Sequence, residues 1–172
     1  MLKENKIISV LTIENSSLAI DLAKCLSDSG IRNLEITLRT KEAKKAIELI
    51  LRTNLNFNIG IGTVLTLDDL KFAKDIGADF ALSPCTDIEL IKESFQIDFN
   101  FIPGVSTSSD INTAIKLGCK VLKLFPTIQL GGLSYFKSIY SPYKSSNLNF
   151  IALGGINDKN ANDFIKNEHF IG

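Results

Sequence analysis

The chain is poor in the residues on which many catalytic centres depend. It has one histidine (His169), no tryptophan, one methionine and three cysteines in 172 residues. A single histidine argues against a His-based triad or a multi-His metal site. Cys25, Cys85 and Cys119 are odd in number, widely spaced and without a CxxC. They fit reduced thiols of a cytoplasmic protein rather than a disulfide frame or a zinc site. Net charge is also missing, with 19 Lys+Arg against 19 Asp+Glu and a pI near 6.6. That balance argues against a nucleic-acid or anionic-membrane surface. No apolar run approaches the ~20 residues of a membrane span. The start, Met1-Leu2-Lys3-Glu4-Asn5-Lys6, lacks a signal-peptide apolar region and cleavage site.

What is present is apolar bulk: 45% of the residues are hydrophobic, enough for one substantial core. A single domain over residues 1–172 is expected. Short β-rich runs alternate with amphipathic stretches. The expected strands are Ile7–Thr12, Leu34–Leu38, Asn58–Ile61, Phe80–Ser83, Phe101–Pro103, Val121–Phe125, Phe150–Leu153 and a stub at Phe170–Ile171. Between them lie helical patterns. Ser16–Ser29 carries Leu18, Leu22 and Leu26 at i, i+4 and i+8. Lys41–Arg52 carries Ala43, Ala46, Ile47, Ile50 and Leu51 on one stripe. Thr66 caps a helix with acids in its first turn, Thr107–Leu117 ends at Gly118, and Asn157–Lys166 follows Gly154-Gly155. Strands separated by helix-sized segments imply a parallel sheet, either a (β/α)8 barrel or an open doubly wound sheet. No GxGxxG follows the first strand, and polar residues recur at strand ends, as a site on the C-terminal face of a barrel requires. The expected fold is an α/β, (β/α)8 TIM-type barrel. Such barrels usually take about 200–250 residues. This chain stops at Gly172, just after its eighth strand, so it reads as a barrel truncated there and lacking the final helix.

Two strands carry chemistry. In Asn33-Leu34-Glu35-Ile36-Thr37-Leu38-Arg39 the apolar residues alternate with polar ones, so Glu35 points away from the face of Leu34 and Ile36. A barrel interior filled by branched aliphatics has no packing use for a carboxylate. An antiparallel strand with one face in water would give the same alternation. In Val121-Leu122-Lys123-Leu124-Phe125, Lys123 shares a face with Val121 and Phe125. Burial drives a lysine toward its neutral, nucleophilic form, while an ionised Glu35 beside it acts in the opposite sense. A buried Lys–Glu salt bridge is the plainer alternative to a poised amine beside a proton-transferring carboxylate.

Loops add to the pattern. Gly60-Ile61-Gly62-Thr63 has glycines that let backbone approach a ligand closely. Ser83-Pro84-Cys85 and Ile102-Pro103-Gly104-Val105-Ser106-Thr107 end two further strands. Leu153-Gly154-Gly155-Ile156 leads toward a helix, where exposed N–H groups suit phosphate; a plain Gly-Gly turn is the competing reading. His169 is expected to be structural, at the start of the last strand.

The segments Leu34–Thr40, Gly60–Leu65, Leu82-Ser83-Pro84, Ile102–Thr107, Lys123-Leu124-Phe125-Pro126 and Gly154-Gly155-Ile156, in this order and spacing, resemble the 2-keto-3-deoxy-6-phosphogluconate aldolase / 4-hydroxy-2-oxoglutarate aldolase family. The resemblance implies a metal-free, cofactor-free class I aldolase on a (β/α)8 barrel, usually a homotrimer, acting on a small-molecule 2-keto acid. It implies that Lys123 forms a Schiff base and that Glu35 shuttles protons. Arg39 and Thr63 would hold the pyruvate carboxylate, Pro84 and Phe125 would line the pocket, and Gly154 and Gly155 would meet the substrate phosphate. The expected reaction yields pyruvate and glyceraldehyde 3-phosphate. A non-phosphorylated aldol such as 4-hydroxy-2-oxoglutarate is the alternative substrate, and an inert ligand-binding or assembly barrel the alternative role. The chain departs from the family pattern at Leu153, where many relatives have Thr, and at Cys85, where Gly is frequent. The family also continues past the eighth strand with a Gly-Ser phosphate loop and a helix.

Overall fold

In the computed structural model of the chain, residues 6–172 are described. The N-terminal stretch read above as lacking a signal-peptide pattern therefore lies, except for Lys6, outside the described residues. The backbone forms two compact units, Met1–Leu82 and Ser83–Gly172.

In the first unit β1 (Ile8–Leu11), β2 (Asn33–Thr37), β3 (Asn58–Gly62) and β4 (Phe80–Leu82) pair in chain order, all parallel. Parallel neighbours need a crossover, here supplied by α1 (Ala19–Asp28), α2 (Ala43–Leu51) and α3 (Leu67–Asp75). The register sets Val10, Glu35 and Gly60 side by side, with Phe80 next to Gly60. Both faces of β2 are buried, Leu34 and Ile36 on one and Asn33, Glu35 and Thr37 on the other. The expected stripe on α2 is found: Ala43, Ala46, Ile47 and Ile50 are buried. Thr66 caps α3 by accepting from the Asp69 N–H at 3.1 Å.

The expected helix over Ser16–Ser29 is found as a 3-10 turn (Ser16–Leu18) followed by α1, with Leu18 59% exposed, Leu22 37% and Leu26 half-buried, whereas Ala19 and Ala23 are fully buried. α1 packs against α2, whose Ala43 and Ala46 are fully buried as well. The spacing between helices depends on the side chains at the contact. Alanines allow a close approach that leucines would prevent, and Leu18 and Leu22, one residue out of phase, turn outward.

The second unit contains α4 (Ile88–Gln96), β5 (Phe101–Ile102), β6 (Gly104–Val105), α5 (Ser108–Lys116), β7 (Val121–Leu124), α6 (Gly132–Tyr140), a 3-10 segment (Ser141–Ser146), β8 (Asn149–Ala152) and α7 (Ala161–Ile165). Strands β6, β7 and β8 form a parallel sheet. The expected strand Phe101–Pro103 becomes β5 and β6 because Pro103 has no N–H for the ladder. Helix α7 is shorter than the expected Asn157–Lys166 and begins only at Ala161. The expected stub at Phe170 is present as a parallel bridge to Phe150, with the Ile171 N–H donating to the Phe150 carbonyl at 2.9 Å.

Phenylalanine takes the place of the absent tryptophan in this core. Phe136 meets Phe150 edge-on at 4.9 Å and Phe170 at 4.7 Å, and it stacks on Tyr140 at 5.2 Å. Each such pair adds about 0.5–1.5 kcal/mol beyond area burial. His169 packs its ring on Tyr140 at 4.9 Å, in keeping with a structural role. All three cysteines are free thiols, and burial pushes that of Cys119 up to about 11.

Helix α5 begins with a reciprocal cap. The Asp110 N–H donates to the Thr107 hydroxyl, and the Asp110 carboxylate accepts from the Ser106 and Thr107 N–H groups at 2.9 and 2.8 Å. Partial burial raises the Asp110 pKa, but these bonds outweigh it and hold the carboxyl below its ordinary value. A carboxyl with a depressed folded-state pKa contributes stability above its unfolded pKa and loses it as pH falls through the folded value. Asp110→Asn should therefore lower the melting temperature at pH 7 and flatten its fall on acidification below about pH 4. Equal acid slopes in the two proteins, measured by thermal melts, would refute the assignment.

Candidate active site

Glu35 is fully buried in β2 between Val10 and Gly60. Its polar neighbours on the same face are satisfied across strands. The Asn58 side-chain amide donates to the Asn33 carbonyl oxygen at 3.2 Å, and the Thr37 and Thr12 hydroxyls lie 3.0 Å apart. The flanking glycines have roles the sequence pattern did not reveal. A Cβ on Gly62 would overlap the Glu35 carboxylate, and one on Gly60 would overlap the Phe80 ring. These glycines make room for side chains of neighbouring strands. Just beyond β2, the exposed Arg39 donates from Nε to the Thr63 hydroxyl at 3.0 Å. Thr63 is held at φ 61°, in the left-handed region that costs a non-glycine residue about 1–3 kcal/mol. Retained backbone strain of this kind clusters at ligand sites.

Lys123 is 1% exposed in β7, between Leu122 and Leu124, which belong to the apolar core of the second unit. Its backbone N–H donates to the Pro103 carbonyl at 2.9 Å, and the register sets it beside Gly104 and Ile151. As expected from alternation, it shares a face with the half-buried Phe125: Nζ lies 5.1 Å from that ring's centroid. Pro84 belongs to the same neighbourhood. A Cβ on Gly104 would overlap the Pro84 carbonyl group, so glycine beside the lysine lets the Ser83-Pro84-Cys85 turn close down there. The turn is fixed by the Gly104 N–H donating to the Cys85 carbonyl at 3.1 Å and the Thr86 hydroxyl donating to the Gly104 carbonyl at 2.7 Å.

Gly154 and Gly155 follow β8 with φ of 100° and 77°, conformations that L side chains rarely adopt. The carbonyls of this turn are all engaged. Leu153 accepts from Thr127 N–H, Gly154 from Ile128 N–H and Gly155 from the Asn160 side chain. Among the described residues no protein acceptor takes the N–H of Gly154, Gly155 or Ile156. A turn with its carbonyls tied back and successive N–H groups unengaged suits an anion. These are loop amides, since α7 starts only at Ala161. Thr127, fully buried beneath this turn, was missed in the sequence, where its only signal is a hydroxyl directly after Pro126.

The expected site residues thus form two sets. Glu35 lies in the middle of β2, while Arg39 and Thr63, hydrogen-bonded to each other, follow the C-terminal ends of β2 and β3. In the second unit Lys123 lies within β7, and Phe125, Pro84, Gly154 and Gly155 follow the C-terminal ends of strands or flank them.

Known proteins resemble this chain in sequence and in fold. A profile of the KDPG and KHG aldolases matches residues 1–172. The chain is 33% identical over 164 residues to the 2-dehydro-3-deoxy-phosphogluconate aldolase of Haemophilus influenzae, covering 95% of this chain and 76% of that protein. It is 33% identical over 165 residues to the KHG/KDPG aldolase of Escherichia coli K12, covering 96% and 76%. Among solved structures, the 2-keto-3-deoxy-6-phosphogluconate aldolase of Zymomonas mobilis ZM4, crystallised with 3-phosphoglycerate, superposes with a TM-score of 0.91 at 30% identity, covering 97% of this chain and 78% of that one. The KDPG aldolase of Legionella pneumophila, in which pyruvate was captured as a covalent carbinolamine, superposes at 0.90 with 33% identity, covering 97% and 80%. The fold class is therefore the α/β, (β/α)8 barrel type anticipated from the strand rhythm. With a match along its whole length and relatives at one-third identity, the chain belongs to the KDPG and KHG aldolase family.

Proposed function

We propose that the protein is a class I aldolase that cleaves 2-keto-3-deoxy-6-phosphogluconate to pyruvate and glyceraldehyde 3-phosphate. The observation that carries this reading is Lys123, an amine buried in the core strand β7 beside Phe125 in a chain of this family. The amine adds to the C2 carbonyl, and loss of water gives an iminium. The iminium accepts the electron pair of the C3–C4 bond when the C4 hydroxyl loses its proton, releasing the aldehyde. The enamine left behind takes a proton at C3, and water returns pyruvate and the free lysine. In this scheme Glu35 carries the protons, and Arg39 and Thr63, already linked to each other, receive the pyruvate carboxylate. Phe125 and Pro84 line the keto-acid end. The unengaged amides at Gly154 and Gly155 receive the phosphate. The reading includes a single barrel domain, in the cytoplasm as the cysteine pattern suggests, and a homotrimer as the family resemblance implies. Among the described residues no helix is long and apolar enough to cross a membrane.

A second substrate, 4-hydroxy-2-oxoglutarate, is favoured by two observations. Leu153 presents no hydroxyl before the glycine pair, and the Escherichia coli relative carries both activities in its name. Borohydride reduction in the presence of pyruvate tests the chemistry. The expected result is a single pyruvyl adduct mapped to Lys123 by mass spectrometry. Turnover of the phosphorylated aldol should exceed that of the unphosphorylated one. A folded protein that gives no adduct would sink the proposal, and a preference for the unphosphorylated aldol would select the second substrate.

A further inference from the structure

Thr127 lies four residues beyond Lys123 and is fully buried. Its hydroxyl donates to the Leu124 carbonyl at 2.7 Å and accepts from the Leu153 N–H at 3.0 Å. The same Leu153 N–H also donates to the Leu124 carbonyl at 3.1 Å, so the three groups close a triangle. The Thr127 N–H donates to the Leu153 carbonyl at 2.8 Å, and the next N–H, of Ile128, donates to the Gly154 carbonyl at 3.0 Å. Every donor of Thr127 is thus used either on the end of the lysine strand or on the glycine turn. Packing repeats the pattern: a Cβ on Gly154 would crowd Pro126, and one on Gly155 would crowd Ile128. The turn lies directly on residues 126–128, with its carbonyls held down and its amides facing away from these bonds.

We infer that Thr127 is a positioning residue that sets the distance between the imine-forming strand and the anion-binding amides of residues 154–156, and so the preference for a phosphorylated aldol. The inference rests on the proposed function. Buried packing alone would be served by valine, which has nearly the same shape. The hydroxyl adds a link that is both donor and acceptor, joining β7 to the turn after β8, and a displacement of about 1 Å between reacting and anchoring ends can cost 10²-fold in rate.

The test compares Thr127→Val and Thr127→Ser with wild type on phosphorylated and unphosphorylated aldols, alongside pyruvate trapping at Lys123. Thr127→Val should trap pyruvate as wild type does and lose about ten- to hundredfold in kcat/KM for the phosphorylated aldol, mainly through KM. It should change the unphosphorylated reaction less than about threefold, and inorganic phosphate should inhibit it less. Thr127→Ser should restore the preference. If the valine protein does not fold, Thr127→Ala, which cannot overpack, carries the same comparison. Equal losses on both aldols, or none on either, in protein that still traps pyruvate would overturn the inference alone. A wild-type protein without a pyruvate adduct would overturn the functional reading and the inference with it.

Discussion

Lys123→Ala should abolish aldol cleavage, lowering kcat by about 10⁴-fold or more, the scale seen when the nucleophile of a covalent mechanism is removed. The pyruvyl adduct formed under borohydride should disappear with it. Without the amine there is no iminium, and the C3–C4 electron pair has no acceptor. Lys123→Arg sharpens the point. It retains a cation beside Phe125, and a guanidinium does not give up its proton to become a nucleophile. It should be as inactive as the alanine variant. Stability should move the other way for Lys123→Met. A side chain 1% exposed, on the strand face of Phe125, carries a desolvation cost that a thioether of similar length does not. A methionine variant that melts no lower than wild type yet is inactive would separate the chemical role of the lysine from any structural one. Turnover by Lys123→Ala within about tenfold of wild type, in pure protein, would refute the Schiff-base assignment.

The lysine strand was legible because alternation and burial agree there. Two leucines flank a charge, and only one face of the strand can hold them. Alternation likewise sets Glu35 opposite Leu34 and Ile36, and the alternative of a half-wetted antiparallel strand fails because β2 has parallel neighbours on both sides and is buried throughout. In helix α1 periodicity identifies a stripe without saying which residues are covered: Ala19 and Ala23 are fully buried, while Leu18 and Leu22 are exposed. Helix α4 carries a usable signal in Asp87, which accepts from the Glu89 and Leu90 N–H groups at 2.9 and 3.0 Å. The break at Pro103 follows from its missing N–H, yet its carbonyl still serves β7, so the strand continues in function across two short pieces. Gly62 and Thr127 could not be assigned from sequence because their roles are defined by residues 27 positions upstream and 26 downstream, Glu35 and Leu153.

Glu35→Gln should lower kcat by about 10²–10⁴-fold, the range for removing a positioned acid–base group. The substitution keeps the shape of the side chain in its fully buried position, so melting behaviour should change far less than activity. One half-reaction isolates the role. The enzyme should exchange the methyl protons of pyruvate with solvent deuterium by passing between iminium and enamine, and the glutamine variant should lose that exchange in parallel with cleavage. Gly62→Ala approaches the same carboxylate without altering it. The new Cβ would occupy the space of the Glu35 carboxylate and force it to move, with an overpacking cost of about 1–3 kcal/mol. If Glu35 carries protons only from its present position, Gly62→Ala should also suppress methyl exchange, while Lys123 still forms a trappable, slower adduct with pyruvate. Undiminished exchange in both variants would remove Glu35 from the mechanism and leave its carboxylate a structural partner of the sheet.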